Sequence, residues 1–262
     1  IMGIWIIMTM GIKAITFDLW DTVLIDESDE LKRQKQGLKP KNEERQQILW
    51  EALNTLSPID KTVIDTAFKS QEVFYRELWL RKQITPNVAD RFEFMLEGLE
   101  RELPASELDR LVSVFQDMEV KIPPDIIAGA AGGLRDLSHK YNLGVVSDAI
   151  YTPGSGLRAI LDAYEVLSCF SGFAFSDEVG RAKPNARIFT HAAQKLEVKY
   201  HEMIHVGDRE LNDVQGAQAL GMKAILFTGA RDESREKGSQ ADAIAKDYAE
   251  LSVQIETISA EL

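Results

Sequence analysis

The sequence is poor in cysteine and in cations. Its single cysteine, Cys169, rules out an internal disulfide and a cysteine-built zinc site and fits a reducing compartment such as the cytoplasm. Cys169 lies in an apolar stretch, where packing rather than reactivity is expected of it. Basic residues number 30 against 42 acidic ones, a net charge of −12. No long Lys/Arg run offsets that excess, so nucleic acid is not an expected partner, because duplex binding depends on neutralising phosphates. Long hydrophobic runs are missing too. The opening Ile1 to Met10 is apolar but far shorter than the roughly 20 residues a membrane span requires. It also lacks the basic start and small-residue cleavage site of a signal peptide. Residues 1–11 therefore read as an N-terminal extension, with Met8 and Met10 as alternative starts, and no membrane partner is expected. No internal repeat or low-complexity run occurs. What remains, 262 residues that are 45% hydrophobic and 27% charged, is ordinary globular usage, enough for one large domain or two small ones.

Lys13-Ala14-Ile15-Thr16-Phe17-Asp18 is a short apolar run ending in a carboxylate, the pattern of a buried strand that delivers Asp18 at its C-terminal end. Helical periodicity takes over from about Leu31. Ile48, Leu49, Ala52 and Leu56 share one face of a helix over 42–56, and Ser57-Pro58 predicts the N-cap and first turn of a long helix through Gln83. Thr85-Pro86 predicts another start before Phe92, Met95, Leu96 and Leu99, and Pro104 to Val120 a further amphipathic helix. Residues 28–122 thus read as an all-helical cap of roughly four helices. Beyond Pro124, strands at 143–147, 172–175, 203–206 and 223–227 alternate with helices near 134–137, 157–164, 185–196 and 212–220. Gly229 to Gln240 reads as a linker, followed by a short strand near Ala243 and a closing helix over 249–258. Such alternation implies an α/β doubly wound parallel sheet with helices on both faces. The core is therefore expected to comprise 12–27 and 123–262, with ligands bound beyond the carboxyl ends of the strands.

Three of these strands end in Asp18, Ser147 and Asp208. A lone aspartate at a strand end is commonly a cap or turn residue; an acid, a hydroxyl and a second acid on one sheet edge, with Lys183 in a nearby loop, form a candidate site. Asp18 and Asp208 make a hard-oxygen pair that suits Mg²⁺. The Asp18 carboxylate is a candidate covalent nucleophile, Thr22 and Ser147 are candidate donors to phosphoryl oxygens, and Lys183 supplies positive charge where a transition state gathers negative charge.

Four stretches, in order, resemble the motifs of haloacid dehalogenase-like hydrolases. They are Phe17-Asp18-Leu19-Trp20-Asp21-Thr22, Val145-Val146-Ser147-Asp148, Ser176 to Pro184 with Ile188-Phe189, and Val206-Gly207-Asp208-Arg209-Glu210-Leu211-Asn212-Asp213 continuing into Gly216-Ala217. The resemblance covers the chain from about residue 12, and the helical insertion falls where that family carries its cap. It implies that Asp18 forms an aspartyl intermediate and that the Trp20 backbone carbonyl joins Asp18 and Asp208 around the metal. It further implies that Trp20, Ser147, Asp148 and Lys183 border the substrate, and that Asp213 orients Lys183 or a metal-bound water. The plainer reading of Asp213 is first-turn charge on a helix.

One position departs from the family's phosphatases, which carry a second aspartate two residues after the nucleophile as general acid and base. Here that position is Trp20, and Asp21 is one residue too far along to replace it. Three readings follow. The first is a phosphatase for small phosphorylated metabolites that handles a good leaving group or recruits an acid from substrate or cap. The second is a haloacid dehalogenase, whose relatives carry an aromatic here; against it stand Phe189, Asp148 and the acid Asp208. The third is a phosphate-binding or regulatory module with little turnover. In the cap, Arg33, Arg76, Arg81 and Arg91 are candidate anion contacts, and Trp50, Phe74, Tyr75 and Trp79 are expected to be mostly core. No heptad or other signature indicates an oligomer.

Overall fold

The computed structural model describes residues 11–230 and 237–261; residues 1–10 of the expected extension and 231–236 of the expected linker lie outside the described residues. The described chain begins with β1 (Ala14–Phe17), α1 (Ser28–Lys35), α2 (Lys41–Leu56), α3 (Lys61–Glu77), a π-helical turn at Leu78–Lys82, α4 (Val88–Gly98) and α5 (Ala105–Lys121). It continues through α6 (Ala130–Ser138), β2 (Asn142–Ser147), α7 (Gly154–Ala163), β3 (Phe170–Phe175), α8 (Ser176–Val179), α9 (Ala186–Leu196) and β4 (Met203–Gly207). A π-helical stretch at Glu210–Gln215 leads into α10 (Gly216–Gln218), followed by β5 (Lys223–Phe227), β6 (Ala243–Ala245) and α11 (Tyr248–Ala260).

Every residue of β1 is buried, because both faces of the sheet are covered, which is why the run shows no polar alternation. The strands pair in parallel in the order β3-β2-β1-β4-β5-β6. On one face Leu134, Leu157, Leu251 and Ile255 pack on Phe17, Val145 and Ile225. On the other, Ile188, Phe189, Val214 and Ala217 pack on Ala14, Val146 and Leu226. From β1 the chain winds outward through β2 and β3, then returns to the opposite side of β1 as β4. The winding direction reverses between β1 and β4, so the crevice beyond their carboxyl ends is the natural binding position in such a sheet.

Between β1 and α6 the described chain is helical. Its helices α2 to α5 bury a separate cluster that includes Leu49, Leu53, Ile64, Phe68, Phe92, Leu111 and Phe115, with the Phe92 and Phe115 rings 4.8 Å apart. The cap carries five helices among the described residues rather than four, because Ser28–Lys35 forms a short one of its own.

Local helix signals were displaced by a few residues. Ser57 ends α2 in an extended conformation, and Asp60 instead caps α3 by accepting from the Thr62 amide at 2.8 Å. Asn87, not Thr85, caps α4; the Thr85 hydroxyl donates to Ser176 Oγ at 2.6 Å, tying cap to core. The long helix through Gln83 is α-helical only to Glu77, widens into the π-helical turn and stops at Gln83 with φ +55°. No helix among the described residues is long and apolar enough to cross a membrane.

Candidate active site

Asp18 follows β1 directly, and its amide donates to the Val206 carbonyl of β4 at 2.8 Å, which fixes it at the crevice between the two strands. Its Oδ1 accepts three bonds: from the Leu19 amide at 2.7 Å, the Ser147 hydroxyl at 2.8 Å and the Lys183 ammonium at 2.8 Å. Oδ2 accepts none of these. The side chain is therefore fixed by one oxygen, and Asp18 borders a partly open cavity of about 270 Å³ between core and cap.

The chain after Asp18 is a tight turn in which the Leu19 carbonyl accepts from the Val23 and Leu24 amides, each at 2.8 Å. Asp21 sits at φ +54° and its Oδ1 accepts from the Asp26 amide at 3.0 Å. Its carboxylate braces the turn and is absent from the cavity wall. Trp20 borders the cavity and donates from Nε1 to the Asp148 carbonyl at 3.2 Å.

Lys183 is buried, 2.8 Å from Asp18 Oδ1 and 2.6 Å from Asp213 Oδ1. Burial alone would disfavour its ammonium, but the carboxylates of Asp18, Asp213 and Asp148 outweigh that and hold it above the usual lysine range. Asp213 also accepts from the Arg209 amide at Oδ2, 2.9 Å, and contacts His205 Nε2 at 3.1 Å. Burial works against the Asp213 carboxylate, yet Lys183 and His205 outweigh it and hold its carboxyl well below the usual range. An ionised Asp213 only accepts, so His205 Nε2 donates to it, and His205 Nδ1 lies 2.9 Å from the Thr16 hydroxyl. Gly207 makes room for this: a Cβ there would lie 2.2 Å from Asp213 Cγ.

Carboxylate oxygens of Asp18, Asp208 and Asp213 lie within 4.8 Å of one another. Three buried hard-oxygen donors fit a small divalent cation such as Mg²⁺. Both Asp213 oxygens are already engaged with Lys183, His205 and Arg209, which leaves Asp18 and Asp208 as the better matched pair.

Of the residues predicted for the site, Asp18, Trp20, Asp148 and Lys183 border the cavity, and Ser147, Asp208 and Asp213 are buried. Thr22 is fully buried, its Oγ1 meets no partner among the described residues, and it does not line the cavity. Asp148 is held by both oxygens, accepting from the Lys183 amide at 3.0 Å and from Trp79 Nε1 of the cap at 2.8 Å. Burial pushes its carboxyl up to about 6, against the opposing charge of Lys183. His205 escaped the sequence reading, although a histidine inside the apolar run of β4 was a legible signal. Trp79 was expected to be core, but it reaches over the site and meets the Arg209 guanidinium at 5.0 Å.

Two buried cations of the cap, Lys41 and Arg45, border the cavity, and Arg33 and Arg91 are buried elsewhere in the cap. Lys41 contacts Asp29 and Glu119, each at 2.8 Å; Arg91 pairs with Glu72 at 3.2 Å; Arg45 lies over the Tyr151 ring, 3.7 Å from its centroid. Of the arginines singled out in sequence, Arg33 is tied to Glu44, Arg81 to Glu77 and Arg91 to Glu72.

Comparison with known proteins accords with this geometry. The family model of haloacid dehalogenase-like hydrolases matches residues 12–221. A glyceraldehyde 3-phosphate phosphatase of Pyrococcus furiosus is 27% identical over 91% of this chain and 88% of its own length. Among solved structures, a HAD phosphatase from Thermococcus onnurineus superposes with a TM-score of 0.63 at 22% identity, over 92% of this chain and 97% of that one. A 2-haloacid dehalogenase from Pseudomonas syringae gives 0.66 at 18%, over 94% and 99%; both show the shared fold. With its sheet order, helical cap and four motif segments gathered around Asp18, the chain belongs to the haloacid dehalogenase-like hydrolases.

Proposed function

We propose that this hydrolase is a phosphatase acting on small phosphorylated metabolites in the cytoplasm, through a covalent intermediate on Asp18. The observation that carries the reading is the Asp18–Lys183–Asp213 chain set against Asp208: a fixed carboxylate, a permanent ammonium and a further acid suited to a metal. The similarity to a glyceraldehyde 3-phosphate phosphatase supports it.

Asp18 attacks phosphorus in line, forming an oxygen–phosphorus bond as the bond to the leaving oxygen breaks. The leaving oxygen takes its proton from solvent or from the substrate. Water then attacks the phosphorus of the aspartyl phosphate and gives its proton to solvent. The bond to Asp18 breaks, which releases phosphate and restores the carboxylate. Lys183 offsets negative charge on the phosphoryl oxygens, Asp213 and His205 hold Lys183 in place, and the Ser147 hydroxyl fixes the Asp18 rotamer. Asp18, Asp208 and the Trp20 carbonyl would hold Mg²⁺, which when bound supplies further positive charge to the phosphoryl group. The cap closes the cavity over these groups and limits water.

Trp20 leaves no acid two residues after the nucleophile, which costs on the order of 10² to 10⁴ in rate for poor leaving groups. Acyl and aryl phosphates are therefore expected to turn over faster than alkyl esters. The aromatic side chain at Trp20 favours a second reading, a haloacid dehalogenase, but halide displacement has little use for Asp208.

The test is release of phosphate from p-nitrophenyl phosphate and acetyl phosphate, and of chloride from L-2-chloropropionate, with Mg²⁺ or EDTA, by the wild type and Asp18→Asn. Mg²⁺-dependent phosphate release that is lost in the variant is expected. EDTA-insensitive chloride release would establish the dehalogenase, and binding of phosphate analogues without turnover a binding module.

A further inference from the structure

We infer that Trp79, within the π-helical turn of the cap, and Gln83, just after it, are positioning residues for Lys183: the core holds its ammonium and the cap holds its backbone. The role assigned to them rests on the phosphatase reading, in which Lys183 offsets charge on the phosphoryl group, and adds two residues to the same site.

Lys183 lies in the loop between α8 and α9, and three donors besides its ammonium tie that loop to the rest of the chain. The Ala182 amide donates to the Gln83 carbonyl at 2.8 Å, and Asn185 Nδ2 donates to Gln83 Oε1 at 2.8 Å. Gln83 thus grips the loop on both sides of Lys183, once with its main chain and once with its side chain. The third donor is the Lys183 amide. It donates to Asp148 Oδ1 at 3.0 Å, while Asp148 Oδ2 accepts from Trp79 Nε1 at 2.8 Å. Ala182, Lys183 and Asp148 are all buried, where an amide left without an acceptor is costly. Each of these ties therefore runs to the cap, directly at Gln83 or through one carboxylate to Trp79.

The cap backbone is irregular at this place. α3 widens into the π-helical turn, a rare form that is concentrated at functional sites, and Gln83 closes it at φ +55°, a region that costs a non-glycine residue free energy. Continued as an α-helix, the chain would commit the Gln83 carbonyl to the amide four residues on. The left-handed residue frees that carbonyl for Ala182. The chemistry gives the grip its purpose. The ammonium is bonded to Asp18 and Asp213, but Asp18 is the nucleophile, and once its carboxylate has become an acyl phosphate that carboxyl carries no charge. Asp213 is then the one charged partner left from this pair. An ammonium on a flexible four-carbon stem is placed only as well as the backbone that carries it, so the loop decides whether Lys183 stays on the phosphoryl oxygens.

Four variants separate positioning from cap docking. Trp79→Phe removes the Nε1 donor and keeps a ring facing Arg209, and Gln83→Met removes the side-chain acceptor at similar length. Gln83→Glu keeps an acceptor for Asn185, whereas Thr85→Val breaks the cap-to-core bond to Ser176 without touching the Lys183 loop. For each, kcat and KM on acetyl phosphate and p-nitrophenyl phosphate with Mg²⁺ are measured beside the NMR exchange rates of the Ala182 and Lys183 amides. Trp79→Phe and Gln83→Met should each lower kcat roughly 3- to 10-fold, the range of one hydrogen bond, with KM changed less than about twofold. Exchange should quicken by a similar factor, at Lys183 in Trp79→Phe and at Ala182 in Gln83→Met. Gln83→Glu and Thr85→Val should match the wild type in both readouts. Faster exchange in the first two variants, with neither ester hydrolysed by any form, would sink the phosphatase reading and leave the grip on the loop standing. Unchanged kcat in an active enzyme, a rise in KM with kcat intact, unaltered exchange, or an equal loss in Gln83→Glu or Thr85→Val would each overturn the positioning role.

Discussion

Replacing Asp213 by asparagine should be among the most damaging isosteric changes in this chain. The carboxylate receives Lys183 and His205 at Oδ1 and the Arg209 amide at Oδ2. An amide of the same shape offers one oxygen and one NH₂, so at least one of those donors must face another donor. Removing one partner of a buried ion pair costs roughly 3–5 kcal/mol. Lys183 keeps Asp18 at 2.8 Å, which places the expected loss at the low end, about 3 kcal/mol. For a chain of this size that corresponds to a fall in Tm of roughly 6–12 °C. The pH dependence follows from the depressed Asp213 carboxyl. A group whose folded-state pKa lies below its unfolded value stabilises fully above the unfolded value, about 3.9 for aspartate, and loses that contribution as pH falls through the folded one. The gap between wild type and Asp213→Asn should therefore be constant above about pH 5 and shrink below about pH 4. Phosphatase activity should drop about 10- to 100-fold, as for other groups that orient catalytic residues. Chemical denaturation across this pH range is the assay. A loss under about 1 kcal/mol at neutral pH, or a gap that persists unchanged into acid, would refute the assignment of Asp213 as the anchor of Lys183.

Gly207→Ala should show the same loss of activity with an intact carboxylate, since its Cβ would stand 2.2 Å from Asp213 Cγ; wild-type turnover in this variant would contradict the packing argument. Trp20→Asp should restore an acid at the leaving group and raise the ratio of alkyl to aryl phosphate hydrolysis by at least about tenfold, read from kcat/KM on paired substrates. In the cap, burial works against the charge on Glu119, but Lys41 outweighs it and holds the carboxyl below its usual range. Its contribution is complete above the unfolded value, about 4.3, and lost as pH falls below it. Acid unfolding should thus be less steep in Glu119→Gln than in the wild type, and parallel acid limbs would argue against the pair.

The sequence made the floor of the site legible because strand chemistry is local. An apolar run ending in Asp18, and a second ending in Gly207-Asp208, predict buried strands and their exposed edge without reference to anything distant. The Asp21 side chain follows an equally local rule: a one-residue shift in a turn redirects a side chain, here onto the Asp26 amide. The cap was legible as helices and illegible in detail. Two of its start signals misled because a serine and a threonine that could have been caps found other roles, one at the end of α2 and one across to Ser176. Arg45 could not be singled out among the cap's arginines, since it joins the cavity wall only once α2 has packed against Tyr151, which lies beyond β2.

The central claim is a phosphoryl group carried on Asp18. Acid-quenching the enzyme during turnover of acetyl phosphate with Mg²⁺, followed by peptide mass analysis, tests it directly. The account predicts a phosphoryl increment on the peptide containing Asp18, absent in Asp18→Asn and in enzyme quenched after substrate is exhausted. Steady phosphate release with that peptide unmodified, or turnover surviving in Asp18→Asn, would contradict it.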